Sequence, residues 1–167
     1  MTQAHKIISY LTFHLGEEIF ALNVGKVTNI LEMQSITKVP KAPEFMTGII
    51  NLRGEVLPVI DTNLKLGLKK TETTTNTCIL VVEAKISGSG VRFGAMVDSV
   101  QEVLEFEEDK ILPSPSIGKK YKTELIQGVV EQQDKFIMII DINKLLDFNE
   151  VLEIKKSSKI NKNNQSE

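Results

Sequence analysis

The chain carries one pattern twice. Gly48 aligns with Gly128, Ile49-Ile50 with Val129-Val130, Pro58-Val59-Ile60-Asp61 with Met138-Ile139-Ile140-Asp141, and Leu66 with Leu146, all at an offset of 80 residues. Upstream, Phe20, Val27, Ile30, Leu31 and Pro40 match Phe93, Val100, Val103, Leu104 and Pro113 at an offset of 73. The difference of 7 (80 − 73) is extra loop in the second copy, within residues 113–127. Matches among Val, Ile and Leu arise easily by chance, but matched Pro, Gly and Asp positions do not. A chain that repeats itself at this period builds two units of one topology.

Within each copy the signals are those of short strands. Residues 7–14 alternate as a half-buried strand does, Gly16-Glu17-Glu18 turns it, and residues 19–22 return. Residues 23–31 have helical spacing at Val24, Val27, Ile30 and Leu31, but their β-branched content and Gly25 favour a short turn running into a strand. Pro40, Pro43 and Gly48 punctuate the route into a hairpin, with Gly48 releasing the backbone from a turn that Pro43 starts. Ile49, Ile50 and Leu52 form one arm and Val56, Leu57, Val59 and Ile60 the other. Arg53-Gly54 is the reversal, where glycine takes the positive φ that a tight turn demands. Asp61 and Asp141 each precede a helical turn and read as N-caps.

The polar run KKTETTTNT connects the copies, and strands follow at 78–85, 91–97 and 100–106. A second hairpin, 126–131 with 136–141, leads into a helical turn at 142–146. Residues 1–5 read as a flexible end. The ordered unit is expected over residues 6–150, with approximate repeats 6–70 and 78–148. Residues 151–167, largely KKSSKINKNNQSE, are expected to be disordered. Many short strands with Gly and Pro turns and no long helical pattern predict a mostly β fold: two small barrels, each of about five strands, with short helical turns.

Net charge is −2 over 167 residues, a poor match for nucleic acid or an anionic membrane surface. No apolar stretch approaches the ~20 residues that span a bilayer, and residues 7–15 lack a signal-peptide cleavage site. The sequence predicts a cytoplasmic protein without direct membrane insertion. Cys78 opens a strand as a small apolar residue, and neither His5 nor His14 has a partner at metal-ligand spacing. Gly88-Ser89-Gly90 joins two strands, so it is a hairpin turn and not a dinucleotide loop. Aromatics at 5%, with no Trp, do not make a stacking platform for single strands. No catalytic, cofactor or metal constellation emerges. Val27, Ile30 and Leu31, with Val100, Val103 and Leu104, serve either as core or as apolar ridges, and Arg53 at a hairpin tip suits an interface anchor. An interaction module is favoured over an enzyme.

The strings GIINLRG (48–54) and VLPVID (56–61) closely resemble the signature of the CheW-like domain family of bacterial chemotaxis couplers. The likeness runs from about residue 6 to about 148. It takes in FHLGEE (13–18), VTNI (27–30), VDSV (97–100) and DINKLL (141–146). The resemblance implies two SH3-like, five-stranded β-barrels around a shared hydrophobic core, with terminal elements free to pack on the other half. It implies a non-catalytic adaptor joining the cytoplasmic tips of transmembrane chemoreceptors to the chemotaxis histidine kinase CheA. By position, Arg53, Gly48 and Gly54 fall on the family's partner-binding hairpin. Val27, Asn29 and Ile30 fall on an apolar partner surface, and Val100 and Val103 are their second-copy equivalents. Asn29 stands where the family commonly has an acidic residue, Glu102 being its second-copy counterpart, and Thr62-Asn63-Leu64 lacks the usual basic residue after Asp61. A coupler for a separate receptor–kinase pathway is the alternative. A nucleic-acid-binding double barrel is the reading from another class.

Overall fold

The computed structural model describes residues 6–114 and 123–165, with side chains for residues 6–114 and 124–157. The flexible end expected at 1–5, most of the long loop after Pro113 and the last two residues of the tail lie outside the described residues. Strands β1 (Ile7–Leu15), β2 (Glu18–Asn23), β3 (Val27–Glu32), β4 (Met46–Leu52) and β5 (Glu55–Asp61) form the first copy, followed by α1 (Thr62–Lys65). Strands β6 (Cys78–Ile86), β7 (Ser89–Val97), β8 (Ser99–Glu107), β9 (Ile126–Gln132) and β10 (Lys135–Ile140) form the second, followed by helix α2 (Phe148–Gln165). Residues 24–26 make a single tight turn before β3, capped by Asn23 Oδ1 on the Gly25 N–H at 2.8 Å, so the turn-then-strand reading of this segment holds.

The strands form two five-stranded sheets, in the orders β8-β1-β2-β10-β9 and β3-β6-β7-β5-β4. The orders superimpose when each strand is replaced by its repeat equivalent, so the duplication is a pseudo-two-fold. The barrels are not the sequence halves, however. The β1–β2 hairpin belongs with β8, β9 and β10, and the β6–β7 hairpin belongs with β3, β4 and β5. Each copy lends its first hairpin to the other barrel through a parallel ladder: Met138 opposite Phe20 in one, Ile60 opposite Ala95 in the other.

This exchange explains why the strands read as continuous apolar runs. Side chains alternate across a strand, and here both faces are buried. In β5, Leu57 and Val59 point into a small core within their own barrel, and Ile60 points into the large core between barrels. In β10, Ile137 and Ile139 do the former, Met138 and Ile140 the latter. Phe13, Phe20, Leu80, Val82, Phe93 and Leu146 join the two sheets in that shared core. Each such side chain contributes roughly 1.5–3 kcal/mol when fully buried, so neither barrel is independent of the other.

The tail expected to be disordered begins as an ordered helix. Asp147 accepts from the Glu150 N–H at 2.8 Å, and Glu150 accepts from the Asp147 N–H at 3.0 Å, a reciprocal capping box. Glu150 also pairs with Lys65 of α1, whose ammonium lies 4.6 Å from the Phe45 ring centroid. Val151 and Ile154, one helical turn apart, enter the shared core. Among the described residues no helix is long and apolar enough to cross a membrane.

Candidate functional site

The β4–β5 hairpin reverses at Arg53 (φ 53°) and Gly54 (φ 87°), both in the left-handed region that a two-residue turn of primed type requires. Asn51 Oδ1 accepts from the Gly54 N–H at 2.8 Å and holds the turn. Glycine occupies such a conformation freely, whereas an L-residue with a Cβ does so at roughly 1–2 kcal/mol. Arg53 is exposed, and among the described residues its guanidinium has no partner. A strained, solvated cation is therefore presented at the tip.

Gly48 is not part of that presented surface. It is buried within β4, beside a bulge between Met46 and Gly48, where the backbone of Thr37 crosses it and pairs with Ile49. A Cβ there would stand 2.3 Å from the Thr37 carbonyl oxygen and 2.7 Å from the Ile36 side chain. Its matched residue Gly128 is crossed in the same way, and a Cβ there would stand 2.9 Å from the Leu112 oxygen. The glycine is repeated because two backbones must touch. It shapes the hairpin from inside.

The apolar candidates divide. Val100, opposite Phe13, packs on the shared core and does not reach the groove. Val27, Asn29, Ile30 and Val103 line one groove of about 320 Å³, together with Val24, Thr28 and Leu11. Its walls are edge strands of different barrels, β3 and β8. Ile30 is 51% exposed and Val103 56% exposed, and together in one groove they form an apolar patch. Equivalent bulges aim them outward: Thr28 is the extra residue opposite Val82-Val81, and β8 shifts register between Val100 and Val103. Buried Thr12 fixes the second bulge, its hydroxyl donating to the Glu102 carbonyl at 2.8 Å and accepting from the Glu102 N–H at 3.1 Å.

Arg92 was not legible as a site residue. Its guanidinium bridges Glu55, beside the tip of the Arg53 hairpin, at 3.1 Å, and Asn29 Oδ1, in the groove, at 3.5 Å. The groove and the hairpin are thereby joined by one side chain of β7. Asn29 offers Arg92 an uncharged amide oxygen, so among the described residues Glu55 is its anionic partner. No local signal announces this triad, because three strands distant in sequence supply it. Among the described residues no cluster of three His, Cys, Asp or Glu is placed to hold a metal.

Two interlocked barrels whose edge strands enclose an apolar groove, with a cation carried on a neighbouring hairpin, form the architecture of a protein-docking scaffold. The CheW-like domain model matches residues 9–150. The chain is 31% identical to chemotaxis protein CheW of Thermotoga maritima over 150 residues, covering 88% of this chain and 93% of that one. It is 31% identical to chemotaxis protein CheW of Bacillus subtilis over 137 residues, covering 82% and 85%. The crystal structure of the scaffolding protein TtCheW from Thermoanaerobacter tengcongensis superimposes with a TM-score of 0.76 at 35% identity, covering 87% of this chain and 96% of that one. The chain belongs to the CheW-like domain family of chemotaxis scaffolds.

Proposed function

We propose that the protein is a chemotaxis adaptor, without catalysis of its own, that holds the cytoplasmic tips of transmembrane chemoreceptors and the histidine kinase CheA in one signalling complex. The observation that carries this reading is the groove containing Ile30 and Val103. Two large aliphatic side chains from different barrels stay exposed, and a slot lined this way accepts the apolar stripe of a helix. The protein works in the cytoplasm and reaches receptor arrays at the membrane through these contacts.

Arg53 and the groove provide two surfaces on one rigid body, as an adaptor needs. Co-sedimentation with receptor-containing membranes and purified kinase tests the proposal. Both partners are expected in the pellet with the wild-type protein. The ternary complex is expected to be lost when Ile30 and Val103 are both changed to Asp. A folded wild-type protein that sediments with neither partner removes the reading.

A further inference from the structure

The two parallel ladders start at different points in the two copies. In the second copy the β10–β2 ladder takes in Ile137–Ile19, Met138–Phe20 and Ile139–Ala21. In the first copy the β5–β7 ladder starts at Val59–Gly94, the equivalent of Ile139–Ala21. Leu57 and Arg92, and Pro58 and Phe93, are the equivalents of the two earlier pairs, and they are not paired with each other. Pro58 stands where the second copy has Met138, and proline has no N–H with which to extend a ladder.

Helix α2 lies beside this unpaired stretch. Val56 and Pro58 of β5, Val91 and Phe93 of β7, and Val151 and Ile154 of α2 line a cavity of about 280 Å³. Phe93, Val151 and Ile154 are buried, whereas Val56, Pro58 and Val91 are half-buried. The cavity thus runs from the edge of the shared core to the surface. An apolar cavity of roughly 150 Å³ holds a benzene ring, so this one has room for a chain of about eight carbons.

Two of the lining residues are charged, and both are cations. The Arg92 guanidinium is engaged by Glu55 and Asn29. Lys155 is exposed and has no ionic partner among the described residues. Small-molecule sites are mostly apolar, with a few polar groups that fix orientation. Here the walls are hydrocarbon and the available polar group is an ammonium. We propose that this cavity binds an aliphatic carboxylate of about eight carbons, its chain between α2 and the β5–β7 face and its carboxylate paired with Lys155 at the rim. The chain leaves water for apolar walls, and the ion pair sets its direction. A ligand held this way touches helix and sheet together and so clamps α2 onto the shared core.

The test is an NMR titration of the full chain, ¹³C-labelled at its Val and Ile methyl groups, with octanoate and with octylammonium, each below its micelle concentration. Octanoate is expected to shift the methyl groups of Val56, Val91, Val151 and Ile154 while those of Ile30 and Val103 stay still. Octylammonium, with the same chain and the opposite charge, is expected to bind at least about fivefold more weakly, as a partly solvated charge pair allows. Lys155→Glu alters an exposed helix residue and is expected to reverse that preference. Val91→Phe fills the cavity and is expected to abolish the shifts. Equal binding of the two amphiphiles, shifts at Ile30 and Val103 as large as those at Val151 and Ile154, or no shifts at all overturn the proposal. An unchanged preference in Lys155→Glu overturns it as well. Because the paired titrations use the wild-type chain, their outcome is readable even if Val91→Phe fails to fold.

Discussion

Ile30 and Val103 are equivalent residues of the two copies, 73 positions apart, and they line the same groove. The pseudo-two-fold therefore turns one sequence position into a paired apolar surface. Neither copy could make the groove alone, since β3 and β8 are edges of different barrels. Replacing either residue by Asp puts a charge on an exposed strand position. The expected stability change is within about 0.5 kcal/mol, as for surface substitutions generally. Affinity for the partner helix is expected to fall at least about tenfold, because a carboxylate would have to be desolvated in an apolar slot. Thermal denaturation alongside a pull-down with receptor-containing membranes separates the two effects.

Arg53 gives a sharper test, because its backbone works against it. At φ 53° a glycine would be the better residue for the turn. Arg53→Gly is expected to leave the fold intact or stabilise it by about 0.5–1 kcal/mol, while weakening assembly with kinase and receptor. A variant that is more stable yet fails in co-sedimentation would mark the side chain as kept for its partner. A variant that loses stability would mark it as structural.

Gly48 and Gly54 flank the same motif but should respond to different degrees. A Cβ on Gly54 meets nothing within 4 Å, and the cost of Gly54→Ala is the backbone strain alone, about 1 kcal/mol. Gly48→Ala forces a carbon against the Thr37 carbonyl and should cost at least about 2 kcal/mol. For a chain of this size that lowers Tm by roughly 4–8 °C. Calorimetry on the two variants is the check, with Gly48→Ala the less stable.

The pattern of these residues shows what was readable in the chain and what was not. The offsets of 80 and 73 locate equivalent strands, bulges and caps: Asp61 caps α1 through the Leu64 N–H, and Asp141 caps its turn through the Asn143 N–H. The hairpin exchange leaves no mark in sequence. Phe20 and Phe93 carry the same apolar character, so either hairpin would suit either barrel, and only the closed structure shows which pairing occurs. The helix after Leu146 was hidden by its polar composition, although Asp147-x-x-Glu150 is a start signal that could have revealed it. Gly48 reads as a turn glycine on the partner-binding hairpin; the segment that buries it, at Ile36-Thr37, lies eleven residues away (48 − 37 = 11). Arg92 owes its importance to partners that no periodicity brings together.

Asn29 and Arg92 offer a test of specificity. The present contact, at 3.5 Å from an amide oxygen, is at the limit of a hydrogen bond. Asn29→Asp places an anion there and gives Arg92 a second ionic partner. The pair is partly solvated, so the stability gain should be below about 1 kcal/mol and should vanish in high salt. Partner binding is expected to change more than stability, since the new carboxylate sits in the groove itself. Binding curves for wild type and variant, at low and high ionic strength, distinguish an electrostatic role from a purely apolar one.

The C-terminal helix supplies the last prediction. Ile154 is 4% exposed and packs with Val151 on the shared core. If the segment were a solvated tail, Ile154→Ala would change nothing. With the helix seated, the substitution removes buried methyl groups and leaves a cavity, which costs about 2–5 kcal/mol. Breaking the capping box by Asp147→Ala should cost about 1 kcal/mol through the same helix, without touching the core. Urea denaturation of both variants is expected to show that order, Ile154→Ala below Asp147→Ala below wild type. A drop for Ile154→Ala with no change at Asp147 would mean that the helix is held by its core contacts alone.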